Sequence, residues 1–266
     1  MQIHVFQTGR LIGNRTFLRG ERWSSLLRRA ESIEFPVLTY VIEHPDGLVA
    51  IDTGMGAGTR VPFTQRRFVP QPVITAADEI GPQMRARGLR TEDVRHVVLT
   101  HLDWDHAGGL RHFPQAEVFV HRPEHEFAGT LPGRMRYRPA DWPQAFSPTV
   151  YDLADEPCGA FPQSRELVAG VRVVSLSGHS AGQVGVIVDE GGRQLFFVAD
   201  HVLRQDWFLE DLAADRLLGL GIFFREQAIE TSRRLARFVQ ERTTVLLPSH
   251  DAAAPARLAG LETVAV

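Results

Sequence analysis

Short apolar runs separated by turn residues recur along most of the chain, and this pattern predicts β-strands. The runs at 37–42 and 48–51 flank a Pro45-Asp46-Gly47 turn, which predicts a β-hairpin. Two segments instead have apolar residues at helical spacing, at 76–89 and at about 225–241. Further strands are predicted at 3–6, 94–99, 117–120, 171–176, 184–188, 195–198 and 244–247. The pattern therefore predicts a mixed α and β protein.

The segment from about 122 to 165 differs from its surroundings, because it is rich in proline and aromatic residues and has little periodicity. A stretch of this kind is more often an insertion or a lid than a separate domain. A chain of 266 residues is long enough to bury a sizeable core. We therefore predict a single domain over 1–266 with a lid at about 122–165.

Composition and charge exclude several kinds of partner. The formal net charge of −3 gives no electrostatic reason to expect nucleic acid. The single cysteine, Cys158, excludes an internal disulfide and a thiolate metal cluster. The chain has neither an N-terminal signal pattern nor an apolar run of about 20 residues that could span a bilayer. We predict a cytoplasmic protein without a nucleic-acid or membrane partner, and a homodimer remains an option.

One short loop concentrates four side chains that can bind metal. His101, Asp103, Asp105 and His106 lie within six positions, directly after the apolar run 97–99. Imidazole and carboxylate together suit zinc, iron or manganese. The alternative is a polar turn that closes a strand.

Three further candidates also follow apolar runs that are predicted to be strands. They are His179, Asp200 and His250. Loops at one edge of a sheet can converge, so these side chains can meet. Seven candidate ligands are more than one metal needs, whereas two metals that share a carboxylate and a hydroxide account for all seven.

The loop at 101–106 resembles the His-x-His-x-Asp-His signature of the metallo-β-lactamase superfamily, and the order of the later ligands is similar too. Phe35-Pro36-Val37, Glu43-His44-Pro45-Asp46-Gly47 and Ser249-His250-Asp251 are similar to segments of N-acyl homoserine lactonases. The resemblance covers nearly the whole chain. It implies an α+β fold, a four-layer αβ/βα sandwich.

The resemblance also implies a role for each candidate residue. It assigns His101, Asp103 and His179 to the first metal, and Asp105, His106 and His250 to the second. Asp200 would bridge the two metals. In the family Asp105 also handles the proton of the attacking water, so Asp105 and Asp200 are the predicted catalytic residues. Asp52 would orient a ligand by hydrogen bonding.

Two positions depart from the lactonase pattern. Asp103 stands where the signature has its second histidine, and a carboxylate shifts metal preference toward iron or manganese; zinc otherwise remains the favoured ion. Leu203 stands where the lactonases have a tyrosine that contacts the substrate carbonyl. Tyr137 in the predicted lid could replace that tyrosine, and Trp142 and Phe146 would complete an apolar substrate pocket.

These observations favour a metal-dependent hydrolase of a small ester, in particular a lactone. In this hypothesis a hydroxide that bridges the metals attacks the carbonyl carbon. A thioesterase of the glyoxalase II kind, an iron-dependent dioxygenase and a non-catalytic metal-binding protein are the alternatives.

A competing motif is Gly178-His179-Ser180-Ala181-Gly182, which fits the Gly-x-Ser-x-Gly nucleophile elbow of serine hydrolases. That elbow needs a strand, a sharp turn and then a helix. The residues that follow, 183–188, are rich in β-branched side chains and predict a strand instead. The motif therefore weighs little against the metal hypothesis.

Overall fold

Twelve strands are present in the part of the chain that this computed structural model describes, which is residues 1–14, 31–61, 69–137, 142–143, 146–213 and 224–265. The strands are β1 (Ile3–Asn14), β2 (Ser32–His44), β3 (Gly47–Ile51), β4 (Gln71–Val73), β5 (Val94–Val98), β6 (Glu117–His121), β7 (Thr149–Tyr151), β8 (Ser164–Val168), β9 (Val171–Ser175), β10 (Val184–Glu190), β11 (Arg193–Ala199) and β12 (Thr244–Pro248). They form a sheet of order β4-β1-β2-β3-β5-β6-β7 and a second of order β12-β11-β10-β9-β8.

Seven α-helices are described alongside these strands. They are α1 (Ile80–Ala86), α2 (Trp104–Ala107), α3 (Arg122–Gly129), α4 (Leu131–Arg136), α5 (Gln205–Ala213), α6 (Arg225–Glu241) and α7 (Ala254–Gly260). Short 3₁₀ turns occupy Ala76–Asp78, Thr91–Asp93 and Leu110–His112. No helix in the described ranges combines the length and the hydropathy needed to cross a membrane. Two mixed sheets with helices confirm the predicted α+β class.

Most of the predicted strands are confirmed, and the deviations have local causes. The hairpin of β2 and β3 pairs Tyr40 with Ile51 and His44 with Gly47. β1 is longer than predicted because its register shifts between Gln7 and Arg10. Gly9 lies at that shift with a φ of +93°, so the bulge breaks the alternation on which the prediction rested.

The predicted helix at 76–89 is divided into two pieces. A 3₁₀ turn is stabilised by Asp78, whose carboxylate accepts bonds from the backbone and the hydroxyl of Thr75. Glu79 then adopts an extended backbone, with φ −65° and ψ 154°, and α1 begins at the next residue. Ile80 and Met84 of α1 are fully buried, as their spacing predicted.

One compact unit comprises Met1–Val118 and Thr130–Thr149. Within it β3 runs parallel to its neighbour β5, pairing Ala50 with Val97 and Ile51 with Val98. Parallel neighbours end at the same edge of a sheet, so the residues that follow β3 and β5 are brought together.

The other compact unit comprises Phe119–Gly129 and Val150–Val266. β11 and β12 are parallel, whereas β10 is antiparallel to both β9 and β11. β9, β11 and β12 therefore all end at the same edge. Phe161, Phe196 and Phe238 form an aromatic cluster in the core, with ring centroids 5.1–5.8 Å apart.

The segment at about 122–165 contains regular structure that its sequence did not reveal. It carries α3, α4, β7 and the start of β8. Its prolines include Pro123 and Pro132 in the first turns of α3 and α4, where proline is compatible with a helix. These elements are too short to show a periodicity. A single domain with a lid in this segment stays a prediction.

Candidate functional site

The first group of candidate residues follows β3 and β5. Asp52 is the first residue after β3, and the stretch from Thr100 to His106 begins two residues after β5. The backbone N–H of Asp52 donates to the carbonyl of Val98 over 3.0 Å, which joins the two strand ends. The parallel pairing of β3 and β5 thus places Asp52 beside residues 100–106, which we call the histidine loop.

Asp52 is a buried carboxylate that holds this loop. Oδ1 accepts the backbone N–H of Thr100 over 2.8 Å, and the Thr100 hydroxyl contacts both carboxylate oxygens. Oδ2 lies 2.8 Å from Nδ1 of His106. Asp52 has a φ of +58°, a left-handed backbone conformation that residues other than glycine rarely adopt. Strain of this kind is typical of functional sites.

The imidazoles of His101 and His106 are both buried, and their ring centroids are 4.0 Å apart. Nδ1 of His106 lies against Asp52, and Nδ1 of His101 lies 3.0 Å from the Thr100 hydroxyl. Each ring therefore has its Nε2 atom placed to bind a metal. Oδ2 of Asp105, in the first turn of α2, is 3.8 Å from Nε2 of His106.

Close backbone packing supports the loop, and it explains the glycines around it. Thr53 donates its backbone N–H and its hydroxyl to the carbonyl of His106, over 2.7 and 2.8 Å. A Cβ at Gly109 would lie 2.2 Å from the carbonyl oxygen of Thr53, and one at Gly54 would lie 1.9 Å from Oγ1 of Thr8. Thr53 is thus a supporting residue that the sequence did not identify.

Asp103 differs from the other candidates because an arginine holds its carboxylate. Nε of Arg136 donates to Oδ1 over 2.8 Å, and Nη2 donates to Oδ2 over 2.5 Å. Oδ2 of Asp103 also lies 3.3 Å from Nε2 of His101. The contact with Arg136 joins residues 33 positions apart, and no sequence motif marked it.

The second group, His179, Asp200 and His250, follows β9, β11 and β12. Oδ1 of Asp200 is 3.1 Å from Nε2 of His250, and Oδ2 is 3.5 Å from Nε2 of His179. Each carboxylate oxygen of Asp200 thus faces a different imidazole. The preceding residue, Ala199, has a φ of +47°, so the last residue of β11 has a left-handed backbone, as Asp52 has directly after β3.

A buried glutamate fixes the loop that carries His179. Glu124 of α3 accepts the hydroxyl of Ser180 over 2.7 Å and the backbone N–H of Gly182 over 2.9 Å. Ser180 is fully buried, and the strand β10 rather than a helix follows this loop. The loop therefore lacks the strand–turn–helix geometry of a nucleophile elbow.

Asp251 performs a similar role beside His250. Its Oδ2 accepts Nη2 of Arg257 over 2.6 Å and the backbone N–H of Gln205 over 3.0 Å. Its Oδ1 accepts the backbone N–H of Ala253 over 3.0 Å. These bonds hold the end of β12 to the starts of α5 and α7.

The predicted pocket residues lie in both units. Tyr137 directly follows α4 and is buried, and the guanidinium of Arg136 lies 5.5 Å from its ring centroid. Trp142 and Phe146 pack together with centroids 5.0 Å apart. Leu203 is half-buried between β11 and α5. Their role in a pocket stays a prediction.

His201, which the sequence did not place among the ligands, is buried beside Asp200. Its Nε2 lies 3.1 Å from the hydroxyl of Ser232. Burial, with a smaller contribution from the neighbouring His179, lowers the pKa of His201 to about 3. His201 is therefore a neutral core residue.

The donor chemistry of both groups suits a divalent metal. Among the described residues, those that offer ligand atoms for an ion are His101, Asp105, His106, His179, Asp200 and His250. Imidazole nitrogens and carboxylate oxygens in this proportion fit zinc, iron or manganese. Asp103 is not in this set.

Comparison with known proteins gives several relatives. Proteins named "Probable metallo-hydrolase" from Mycobacterium tuberculosis and Mycobacterium bovis are each 35% identical over 171 residues, which is 60% of this chain. The match spans 54% of those relatives, so this chain matches about half of their length. An N-acyl homoserine lactonase from Bacillus cereus is 23% identical over 86% of both chains.

Solved structures show the same fold. The crystal structure of AiiA from B. thuringiensis with N-decanoyl-L-homoserine at its active site matches with a TM-score of 0.77 and 20% identity, over 96% of this chain and 94% of that one. An N-acyl homoserine lactone hydrolase with N-hexanoyl-L-homoserine at its catalytic metal centre matches with a TM-score of 0.76 and 21% identity, over 96% and 94%. The metallo-β-lactamase fold expected from the sequence is confirmed.

The sequence model of one family matches most of the chain. Residues 33–250 match the metallo-beta-lactamase superfamily. The matched region includes Asp52, the histidine loop, His179, Asp200 and His250. The chain therefore belongs to the metallo-beta-lactamase superfamily.

Proposed function

We propose that this protein is a metal-dependent hydrolase of a small ester, in particular a lactone. The observation that carries the proposal is the placement of Asp200, whose two carboxylate oxygens face His250 and His179 at 3.1 and 3.5 Å. A buried carboxylate shared between two imidazoles is costly unless a cation neutralises it. Because the chain belongs to a superfamily of metal enzymes, we infer that this cation is a divalent metal ion.

The proposed ligands are those that the resemblance to the superfamily assigns. His101, Asp103 and His179 would hold a first divalent ion, Asp105, His106 and His250 a second, and Asp200 would bridge them. A bound divalent ion supplies a Lewis acid and lowers the pKa of water. Zinc is the favoured ion, with iron or manganese as alternatives.

The protein's own residues orient the ligands and move the proton. Asp52 accepts from Nδ1 of His106 and so would leave Nε2 as the nitrogen that binds the ion. Asp105 lies beside that nitrogen, and its carboxylate would take up the proton of the attacking water. Tyr137, Trp142 and Phe146 would form the apolar wall of the substrate pocket.

Lactones are the favoured substrate class because two kinds of relative indicate them. The Bacillus cereus relative that matches 86% of this chain is named an N-acyl homoserine lactonase. A structural neighbour binds the ring-opened product N-hexanoyl-L-homoserine at its metal centre. This chain has Leu203 where the lactonases have a tyrosine, so its preferred acyl chain or ring is expected to differ from theirs.

The test is elemental analysis of the purified protein together with a substrate panel. We expect bound divalent metal and proton release from N-acyl homoserine lactones or simpler lactones. His106→Ala and Asp200→Ala should lose both bound metal and hydrolysis, whereas His125→Ala, which changes an exposed histidine, should lose neither. If His106→Ala and Asp200→Ala kept both, the proposal would be wrong.

The same panel separates the alternatives. Turnover of glutathione thioesters in place of lactones would indicate a thioesterase of the glyoxalase II kind. A single bound iron with oxygen uptake would indicate a dioxygenase. Fully bound metal without turnover across esters, thioesters and phosphoesters would indicate a metal-binding protein without catalysis.

A further inference from the structure

The guanidinium of Arg136 makes a two-point ion pair with Asp103. Its Nε and Nη2 atoms donate over 2.8 and 2.5 Å to the two carboxylate oxygens. The Arg136 side chain is 9% exposed and that of Asp103 is 14% exposed. Paired, charge-assisted bonds between partly buried groups are among the stronger polar contacts in proteins. The contact therefore fixes the direction of the Asp103 carboxylate.

The placement of Arg136 is itself determined by the short helix that carries it. Thr130 caps α4, its side chain accepting the backbone N–H of Gly133 over 3.2 Å, and Pro132 lies in the first turn. Arg136 is the last residue of α4, and the buried Tyr137 follows it. Both ends of the helix are thus held, and its final side chain points to Asp103.

Asp103 belongs to the ligand set proposed for the first metal, and Arg136 competes for it. Oδ2 of Asp103 lies 3.3 Å from Nε2 of His101. Arg136 donates to this same oxygen. A guanidinium is always charged and cannot share that oxygen with a divalent ion without repulsion.

We propose that Arg136 is a positioning residue that occupies the carboxylate of the first metal position, so that the protein binds one divalent ion tightly and a second one weakly. The tight ion binds through Asp105, His106 and His250. The weak ion binds only when Arg136 leaves Asp103. The inference rests on the proposed metal-dependent function. It adds the order in which the two ions bind and names Arg136 as the residue that sets this order.

The test is titration of chelator-stripped protein with Zn²⁺ alone, against a chromophoric chelator that reports free zinc. We expect the wild type to bind one equivalent tightly and a second at least tenfold more weakly. Arg136→Gln should tighten the second equivalent at least tenfold and leave the first unchanged. Arg134→Gln, which removes an exposed charge from the same helix, should change neither step.

A second variant keeps the inference testable if Arg136→Gln does not fold, as judged by circular dichroism. Asp103→His replaces the carboxylate by the histidine of the family signature, which cannot form a two-point ion pair with a guanidinium. It should also tighten the second equivalent.

Two outcomes separate the failure of this inference from the failure of the proposed function. Two equally tight equivalents in the wild type, or an unchanged second step in folded Arg136→Gln, would overturn the role of Arg136 alone. Absence of zinc binding in the wild type and in every variant would overturn the proposed function as well.

Discussion

The carboxylate of Asp52 lies 2.8 Å from Nδ1 of His106, and both side chains are buried. A carboxylate in this position fixes the tautomer and the orientation of a metal-binding imidazole. We expect Asp52→Asn to weaken metal binding by about 10- to 100-fold, the usual effect of removing such a partner. Competition with a chromophoric chelator measures the change.

The matched control for Asp52 is Asp46→Asn. Asp46 lies at the turn of the β2–β3 hairpin, and its side chain is 71% exposed. The Asp46→Asn variant should bind metal with the affinity of the wild type. Wild-type affinity in a folded Asp52→Asn variant would show that Asp52 does not orient His106.

The sequence predicted the elements that carry the candidate residues, because a run of apolar residues is a local signal. His179, Asp200 and His250 were identified since each follows such a run, and the parallel directions of β9, β11 and β12 then bring them together. That prediction rested on the position of each residue after a strand and not on residue type alone.

Contacts between distant positions could not be predicted in the same way. Arg136 and Asp103 are 33 positions apart, and Glu124 and Ser180 are 56 apart. Neither pair has a spacing that a helix or a strand would impose, so each depends on how the chain packs. The left-handed backbone of Asp52 was equally hidden, because nothing in the local sequence requires an aspartate to adopt it.

The hydroxyl of Ser180 donates to a buried carboxylate, and this contact separates the metal mechanism from a serine mechanism. In the metal mechanism Ser180→Ala retains most of its hydrolytic activity, because the serine only supports the loop. Its free energy of unfolding should fall by about 1–3 kcal/mol, since Glu124 loses a buried hydrogen bond. Steady-state kinetics and urea unfolding measure the two effects.

The control for this variant is Ser147→Ala, which changes an exposed serine and should alter neither quantity. Loss of nearly all turnover in a stably folded Ser180→Ala protein would support the nucleophile elbow instead.

Glu79, between the first 3₁₀ turn and α1, is a buried carboxylate with three donors. The backbone N–H of Ala57 donates to Oε1 over 2.8 Å, Arg111 also bonds Oε1, and Nε2 of His112 lies 2.7 Å from Oε2. Burial by itself would raise the pKa of Glu79. The hydrogen bonds from Ala57, His112 and Arg111, with the charge of Arg111, outweigh burial and lower the pKa below its ordinary value of 4.5.

A pKa that is lower in the folded than in the unfolded state makes stability depend on pH in a defined direction. The contribution of Glu79 is complete above about pH 4.5 and is lost as the pH falls from there toward the folded pKa. Glu79→Gln should therefore be less stable than the wild type at neutral pH and should lose less stability between neutral pH and acid. Urea unfolding across this range measures both changes, and Glu92→Gln, an exposed position, should follow the wild type. An acid dependence in Glu79→Gln equal to that of the wild type would assign the effect to other carboxylates.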